Sequence, residues 1–252
     1  MWRDLIRVLD NPSSAKPFVA WALGLSRSGL TDLPEIGLAH EAAAAALYRL
    51  MKRAQKAGFK LSIASGYRDY ERQLAIFNAK IRGERPVYAD SGILLSKQSL
   101  GSRDWLHAIL RYSALPGTSR HHWGTDFDIW DPTAVPSGYV LQLQPSEYCG
   151  DGPFAQLSSW LTTLILQDDA EGFYRPYTGE SGGVAPELWH LSHRPTAKLF
   201  QPLMESASLI HVWSGQAQHL GQSSDCETLA GLQEVASEHD AIMDQYVRSY
   251  WV

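Results

Sequence analysis

The feature that most constrains this chain is a pair of distant segments whose side chains make chemical sense only if the fold brings them together. One is Ser119-Arg120-His121-His122-Trp123-Gly124-Thr125-Asp126-Phe127-Asp128, and the other, about sixty residues on, is Glu187-Leu188-Trp189-His190. His121 and His190 each offer an imidazole nitrogen and Asp128 a carboxylate oxygen, a donor set suited to zinc. Three protein ligands leave a fourth tetrahedral position for water, which separates a catalytic zinc from a structural one. Glu187, just ahead of His190, would put a carboxylate where a general base is needed. Taken singly the pieces say little, because 9 histidines and 27 acidic residues produce such His–Asp spacings by chance. Glu-Leu-Trp-His reads equally well as a buried strand. Strand alternation, however, separates Glu187 from His190, so a strand end, bulge or bend is expected there.

A third segment, Ser65-Gly66-Tyr67-Arg68-Asp69-Tyr70-Glu71-Arg72-Gln73, follows the alternating apolar run Phe59, Leu61, Ile63 and reads as strand, turn, helix. An arginine at the end of a strand can reach into a cleft, where its planar fork suits a carboxylate or a developing oxyanion. The plain alternative for Arg68 is a surface ion pair with Asp69 or Glu71.

In this order, Ser-Gly-Tyr-Arg with a following Gln, Ser-x-His with a Gly and an Asp at fixed offsets, and Glu-x-Trp-His resemble the D-alanyl-D-alanine carboxypeptidase family of zinc metallopeptidases, over roughly residues 36 to 195. Gly172-Phe173-Tyr174-Arg175-Pro176-Tyr177 is similar to a segment that many members carry shortly before Glu-x-Trp-His. The resemblance implies an α+β fold of the hedgehog/D-Ala-D-Ala peptidase type. In it a small antiparallel sheet carries the zinc site, helices flank the sheet, and extra helices follow at the C-terminus. It implies one zinc ion held by His121, Asp128 and His190, with Glu187 as the base and Arg68 binding substrate or transition state. Ser65, Gln73 and Ser119 match positions that line the substrate cleft, and Arg68 or Arg120 would supply the cation for a free C-terminal carboxylate. The implied partner is a peptidoglycan-derived peptide or a D-amino-acid dipeptide. The implied reaction is removal of a terminal D-amino acid from a stem peptide, of D-Ala-D-Ala or L,D type. A D,D-dipeptidase or an endopeptidase with the same zinc site is the alternative, and a zinc-stabilised binding domain a third; the presence of both Glu187 and Arg68 argues against the last.

The departures from the family pattern are informative. Relatives often carry a small residue two positions before the aspartate ligand, where this chain has Asp126. Asp126 and Asp128 are therefore both candidate ligands, on the same side of a strand, and the one that is not a ligand is placed to orient an imidazole from behind. His121 and His122 would face opposite ways in an extended segment, so one of them should meet the metal; the family register selects His121. His193 is expected at the cleft rim or as a substitute ligand, and His107 as a packing residue.

With 252 residues, 44% of them hydrophobic, the chain can bury a substantial core, and a net charge of -5 gives no footprint for nucleic acid or an anionic membrane. Cys149 and Cys226 lack the spacing of a metal or redox motif and read as free thiols. At the N-terminus Asp4 and Asp10 offset Arg3 and Arg7, and the apolar stretch Phe18 to Leu25 is short and leads to no small-residue cleavage site. A cytoplasmic location is therefore expected, with the periplasm as the alternative, and nothing approaches the ~20 apolar residues of a membrane span. Residues 1–35 read as an N-terminal extension, 36–195 as the peptidase domain, and 196–252 as a helical extension packed on the core. Expected elements are a helix opening at Pro34 and Glu35 and stopping at Gly58, helices over 70–81, around Trp105 and over 154–166, and loops with a short strand near Tyr139. One or two amphipathic helices should follow, built on Leu229, Leu232, Val235, Ile242, Met243, Tyr246 and Val247.

Overall fold

A computed structural model describes residues 12–205 and 208–251. The chain runs through α1 (Pro12–Ala22), a hairpin of β1 (Thr31–Leu33) and β2 (Gly37–Ala39), α2 (Glu41–Lys56), β3 (Ser62–Ser65), α3 (Tyr70–Arg82), α4 (Ser102–Leu110) and β4 (Asp126–Trp130). It continues through α5 (Pro145–Tyr148), α6 (Ala155–Leu166), β5 (Phe173–Tyr174) and β6 (His190–His193). Short helices follow: α7 (Arg194–Ala197), α8 (Gln201–Glu205), α9 (Leu209–Trp213), α10 (Leu232–Ser237) and α11 (His239–Tyr246). Strands β3, β4, β6 and β5 form, in that order, one antiparallel sheet. This is the α+β architecture expected.

The period of two along β4 and β6 divides the sheet into two chemistries. Phe127, Ile129 and Leu191 point to one face and join Leu47 and Leu50 of α2 and Leu157 and Leu161 of α6 in a buried apolar cluster. Burying each such side chain stabilises the fold by about 1.5–3 kcal/mol. Asp126, Asp128, His190 and Ser192 take the alternate positions, and the register pairs Asp126 with Ser192 and Asp128 with His190. One face of the sheet thus closes the core while the other gathers polar side chains.

Helix α3 starts and stops where its sequence says. The Asp69 carboxylate accepts from the Arg72 N–H at 2.8 Å, and Gly83 ends the helix in the left-handed conformation. Helix α2 begins later than Pro34 and Glu35 suggested. Those residues make the turn of the β1–β2 hairpin, with Glu35 at φ 61°, and His40 caps the helix by accepting from the Ala42 N–H. The strand expected near Tyr139 does not form. There the buried Glu147 carboxylate accepts from the Tyr139 hydroxyl at 2.6 Å and from the backbone N–H groups of Gln142 and Gln144, which holds the segment as a loop.

The segments read as extensions share a core with the middle of the chain. Leu23, just past α1, Phe77 of α3 and Ile109 of α4 lie in one apolar cluster with Trp213, Val235, Ile242 and Tyr250. Of the one or two amphipathic helices expected between Leu229 and Val247, two are present, α10 and α11. Both cysteines are free thiols. Among the described residues no helix is long and apolar enough to cross a membrane. The charges at Arg3, Asp4, Arg7 and Asp10, on which the reading of the leader rests, lie outside the described residues.

Candidate active site

The pairing of β4 with β6 sets Asp128 directly across from His190. His121 arrives from a 3₁₀ turn, Arg120–Trp123, that precedes β4 and closes on Gly124 at φ 69°. That turn, rather than an extended strand, parts the two adjacent histidines. His122 faces away from the site: its Nδ1 donates to the Arg68 carbonyl at 2.6 Å and its Nε2 accepts from the Gly117 N–H at 3.0 Å. Both bonds at once require the neutral ring, and burial pushes its pKa down to about 3.

His121, Asp128 and His190 bring donor atoms within 4.8 Å of one another. His121 Nε2 lies 3.4 Å from Asp128 Oδ2, and His190 Nδ1 lies 3.3 Å from Asp128 Oδ1. Their outer nitrogens are already committed. His121 Nδ1 donates to the Gly66 carbonyl at 2.8 Å and His190 Nε2 to Asp126 Oδ1 at 2.9 Å, so the remaining nitrogen of each ring turns a lone pair inward. Asp126 therefore stands behind His190 as an orienting group, and Asp128 faces the shared space. Although burial opposes it, His121 and His190 hold the Asp128 carboxyl well below the usual carboxylate range. Asp128 Oδ1 is nevertheless buried without a hydrogen-bond partner. A buried anionic oxygen left bare is costly, and a cation beside two inward imidazole lone pairs removes that cost. The donor set fits a divalent metal, with zinc the natural match for two nitrogens and an aspartate oxygen.

Glu187 and His190 converge because the chain makes a turn, not a strand, on entering β6. The His190 N–H bonds to the Glu187 carbonyl at 3.2 Å, and Glu187 Oε2 comes 3.4 Å from His190 Nδ1. The Tyr177 ring packs edge-on against His190 at 4.9 Å. Three carboxylates, Asp126, Asp128 and Glu187, outweigh the burial penalty and raise the His190 pKa well above its ordinary value, so a metal would take the inward Nδ1 in exchange for its proton.

Arg68 makes no pair with Asp69 or Glu71. It donates to Ser65 Oγ at 3.1 Å and to Gln73 Oε1 at 2.8 Å, and Gln73 is anchored in turn by donating to the Ala114 carbonyl at 2.6 Å. Ser65 and Gln73 thus hold the guanidinium from behind and do not line the cleft, a correction to the expectation that they contact substrate. Arg120 is also reassigned. Only 4% exposed, it donates to Asp126 Oδ1, Tyr174 OH, Ser192 Oγ and the Tyr250 carbonyl, which fixes Asp126 and leaves no fork for a substrate carboxylate. His193 is not at the rim, because alternation along β6 turns it to the opposite face, where it meets Thr196 Oγ1 at 2.9 Å and packs at a tilt against Phe173. His107 packs as expected, bonded to Tyr246 OH and beside Glu238.

Arg68, Ser119, His121, Asp128, Glu187 and His190 line one cavity of about 430 Å³. Lys80 of α3 and the C-terminal residues Tyr246, Tyr250 and Trp251 line it too, and the sequence motifs did not indicate them. A signal for Lys80 was present, since it lies two helical turns beyond Gln73 on the same face of α3.

Residues 37–196 match the VanY family, described as D-alanyl-D-alanine carboxypeptidase. The chain is 35% identical over 127 residues to an uncharacterized protein of Haemophilus influenzae, a stretch that spans 50% of this chain and 92% of that one. Among solved structures, VanYB in complex with D-alanine-D-alanine is 22% identical, with a TM-score of 0.47 over 70% of this chain and 86% of that one. A mutant of a vancomycin-resistance D,D-pentapeptidase VanY in complex with Zn(II) is also 22% identical, with a TM-score of 0.45 over the same shares, 70% and 86%.

Proposed function

The chain belongs to the D-alanyl-D-alanine carboxypeptidase (VanY) family, and we propose that it is a zinc-dependent carboxypeptidase removing the terminal D-amino acid of peptidoglycan stem peptides. The observation that carries this reading is the bare, buried Asp128 Oδ1 between two inward-facing imidazole nitrogens, with Glu187 alongside. His121 Nε2, Asp128 and His190 Nδ1 would hold the ion, whose Lewis acidity acidifies water and polarises a carbonyl.

The remaining chemistry belongs to the protein. Glu187 takes the proton of the attacking water and returns it to the leaving amine, which is general base and then general acid catalysis by one carboxylate. Arg68, bonded among the described residues only to the neutral oxygens of Ser65 and Gln73, keeps its charge free for the developing oxyanion. Removing such a stabiliser typically costs on the order of 10²-fold in turnover. Asp126 keeps the proton of His190 on Nε2, and Arg120, buried beside it, keeps Asp126 ionised.

Zinc-loaded protein should release D-alanine from a stem tetrapeptide, a stem pentapeptide, or both, as read by mass spectrometry. Release from neither overturns the reading, while a dipeptide or a severed crosslink among the products would mark a dipeptidase or an endopeptidase instead. Glu187→Gln should retain zinc by elemental analysis and lose on the order of 10²–10⁴-fold in turnover. A fully active Glu187→Gln would remove Glu187 from the chemistry.

A further inference from the structure

Lys80 projects from α3 into the same cavity as Arg68 and Glu187, and its ammonium donates to Ser113 Oγ at 2.6 Å. Neither Lys80 nor Arg85, an exposed cation that also lines the cavity, makes an ion pair among the described residues. Ion pairs neutralise several basic side chains elsewhere: Arg49 and Arg53 pair with Glu171, Arg103 with Glu238, and Arg111 with Asp90. The lining of the cleft therefore includes three cations, Arg68, Lys80 and Arg85, with no carboxylate bonded to any of them among the described residues. Burial, and after it the neighbouring Arg85, pull the Lys80 pKa down to about 8 against the opposing influence of Glu187. The group is still charged at neutral pH but poorly solvated, a state that an arriving anion relieves.

We propose that Lys80, steadied by Ser113, binds the free C-terminal carboxylate of the peptide and so leaves Arg68 to the oxyanion. The assignment rests on the carboxypeptidase reading and divides its two anionic tasks between two cations. Arg120, the other basic residue near the metal ligands, is excluded because four of its five N–H groups are committed to Asp126, Tyr174, Ser192 and Tyr250, which leaves no two-pronged fork for a carboxylate. A carboxylate at Lys80 would find apolar and aromatic surface for the leaving side chain in Tyr246, Val247 and Trp251, which line the same cavity.

The test compares an N-acetylated peptide ending in L-Lys-D-Ala-D-Ala with the same peptide ending in D-alaninamide, using zinc-loaded wild type, Lys80→Met and Lys80→Arg. Lys80→Met should raise KM for the free acid by on the order of tenfold to a hundredfold, the usual effect of losing a hydrogen bond to a charged group. It should leave kcat within about threefold and leave the slower cleavage of the amide unchanged, which also reports that the variant is folded. Lys80→Arg should recover most of the loss. Equal losses on acid and amide, or no loss on the acid, overturn the anchor while D-alanine release by the wild type keeps the carboxypeptidase reading standing. A wild type that cleaves the amide as readily as the acid also overturns the anchor. A wild type inert toward every peptide refutes the parent reading, and the anchor falls with it.

Discussion

Adjacent histidines acquire opposite chemistry here because their ring nitrogens meet different partners. His121 donates outward to a carbonyl and keeps a lone pair for the site, whereas His122 uses both nitrogens on the backbone. His193 is a third case, enclosed by Thr196 and Phe173 with its pKa pushed down to about 4, chiefly by burial and then by His40 and Arg49. A folded value below the unfolded one, about 6.5, means that the unfolded chain binds the proton first. The stability owed to neutral His193 is therefore complete above about pH 6.5 and is lost as pH falls toward 4, by up to about 3 kcal/mol. Chelator-treated protein should show this as a falling Tm across that window, and His193→Gln should flatten it; an unaltered slope would rule His193 out. The metal donors were legible in the sequence because their chemistry is carried by residue type. The tasks of Ser65, Gln73 and Arg120 were not, since the direction in which a polar side chain bonds is decided by neighbours from distant parts of the chain, such as Ala114 and Tyr250.

At the scale of elements, the 3₁₀ turn that delivers His121 depends on Gly124. Its φ of 69° suits glycine, its carbonyl accepts from the His40 N–H, and a Cβ there would come within 2.9 Å of the His40 nitrogen and 2.5 Å of Leu30 Cδ2. Gly124→Ala should therefore cost about 1–3 kcal/mol from the backbone conformation alone, with the clash in addition. Denaturant unfolding reads the loss directly, and a variant as stable as wild type would show that the turn relaxes freely. Helix α3 was legible because Leu74, Phe77 and Ile81 keep a clear 3.6-residue period, and Asp69 and Gly83 set its ends in the structure. The β1–β2 hairpin was not, since its strands span only 3 residues each and show no alternation to read. Near Tyr139 the β-favouring residues were misleading, because Glu147 claims the hydroxyl and the backbone donors that a strand would need.

On the scale of the whole molecule, a metal that binds only the folded chain adds stability by mass action, ~2.7 kcal/mol at a hundredfold excess over Kd. For a chain of this size that corresponds to about 5–10 °C in Tm. Differential scanning calorimetry of the zinc-loaded protein with and without chelator should show a drop of that size, and identical melting curves would mean that no metal is held. The α+β architecture could be anticipated from the family resemblance, and the C-terminal helices from hydrophobic spacing. That Tyr246, Tyr250 and Trp251 wall the cleft could not, because an amphipathic period tells which face is buried but not against what. The bond from Arg120 to the Tyr250 carbonyl, across 130 residues, ties the carboxylate behind His190 to the far end of the described chain. Arg120 is thereby anchored from three separate stretches of chain at once, so motion of the segment around Tyr250 is felt, through Asp126, at the imidazole of His190.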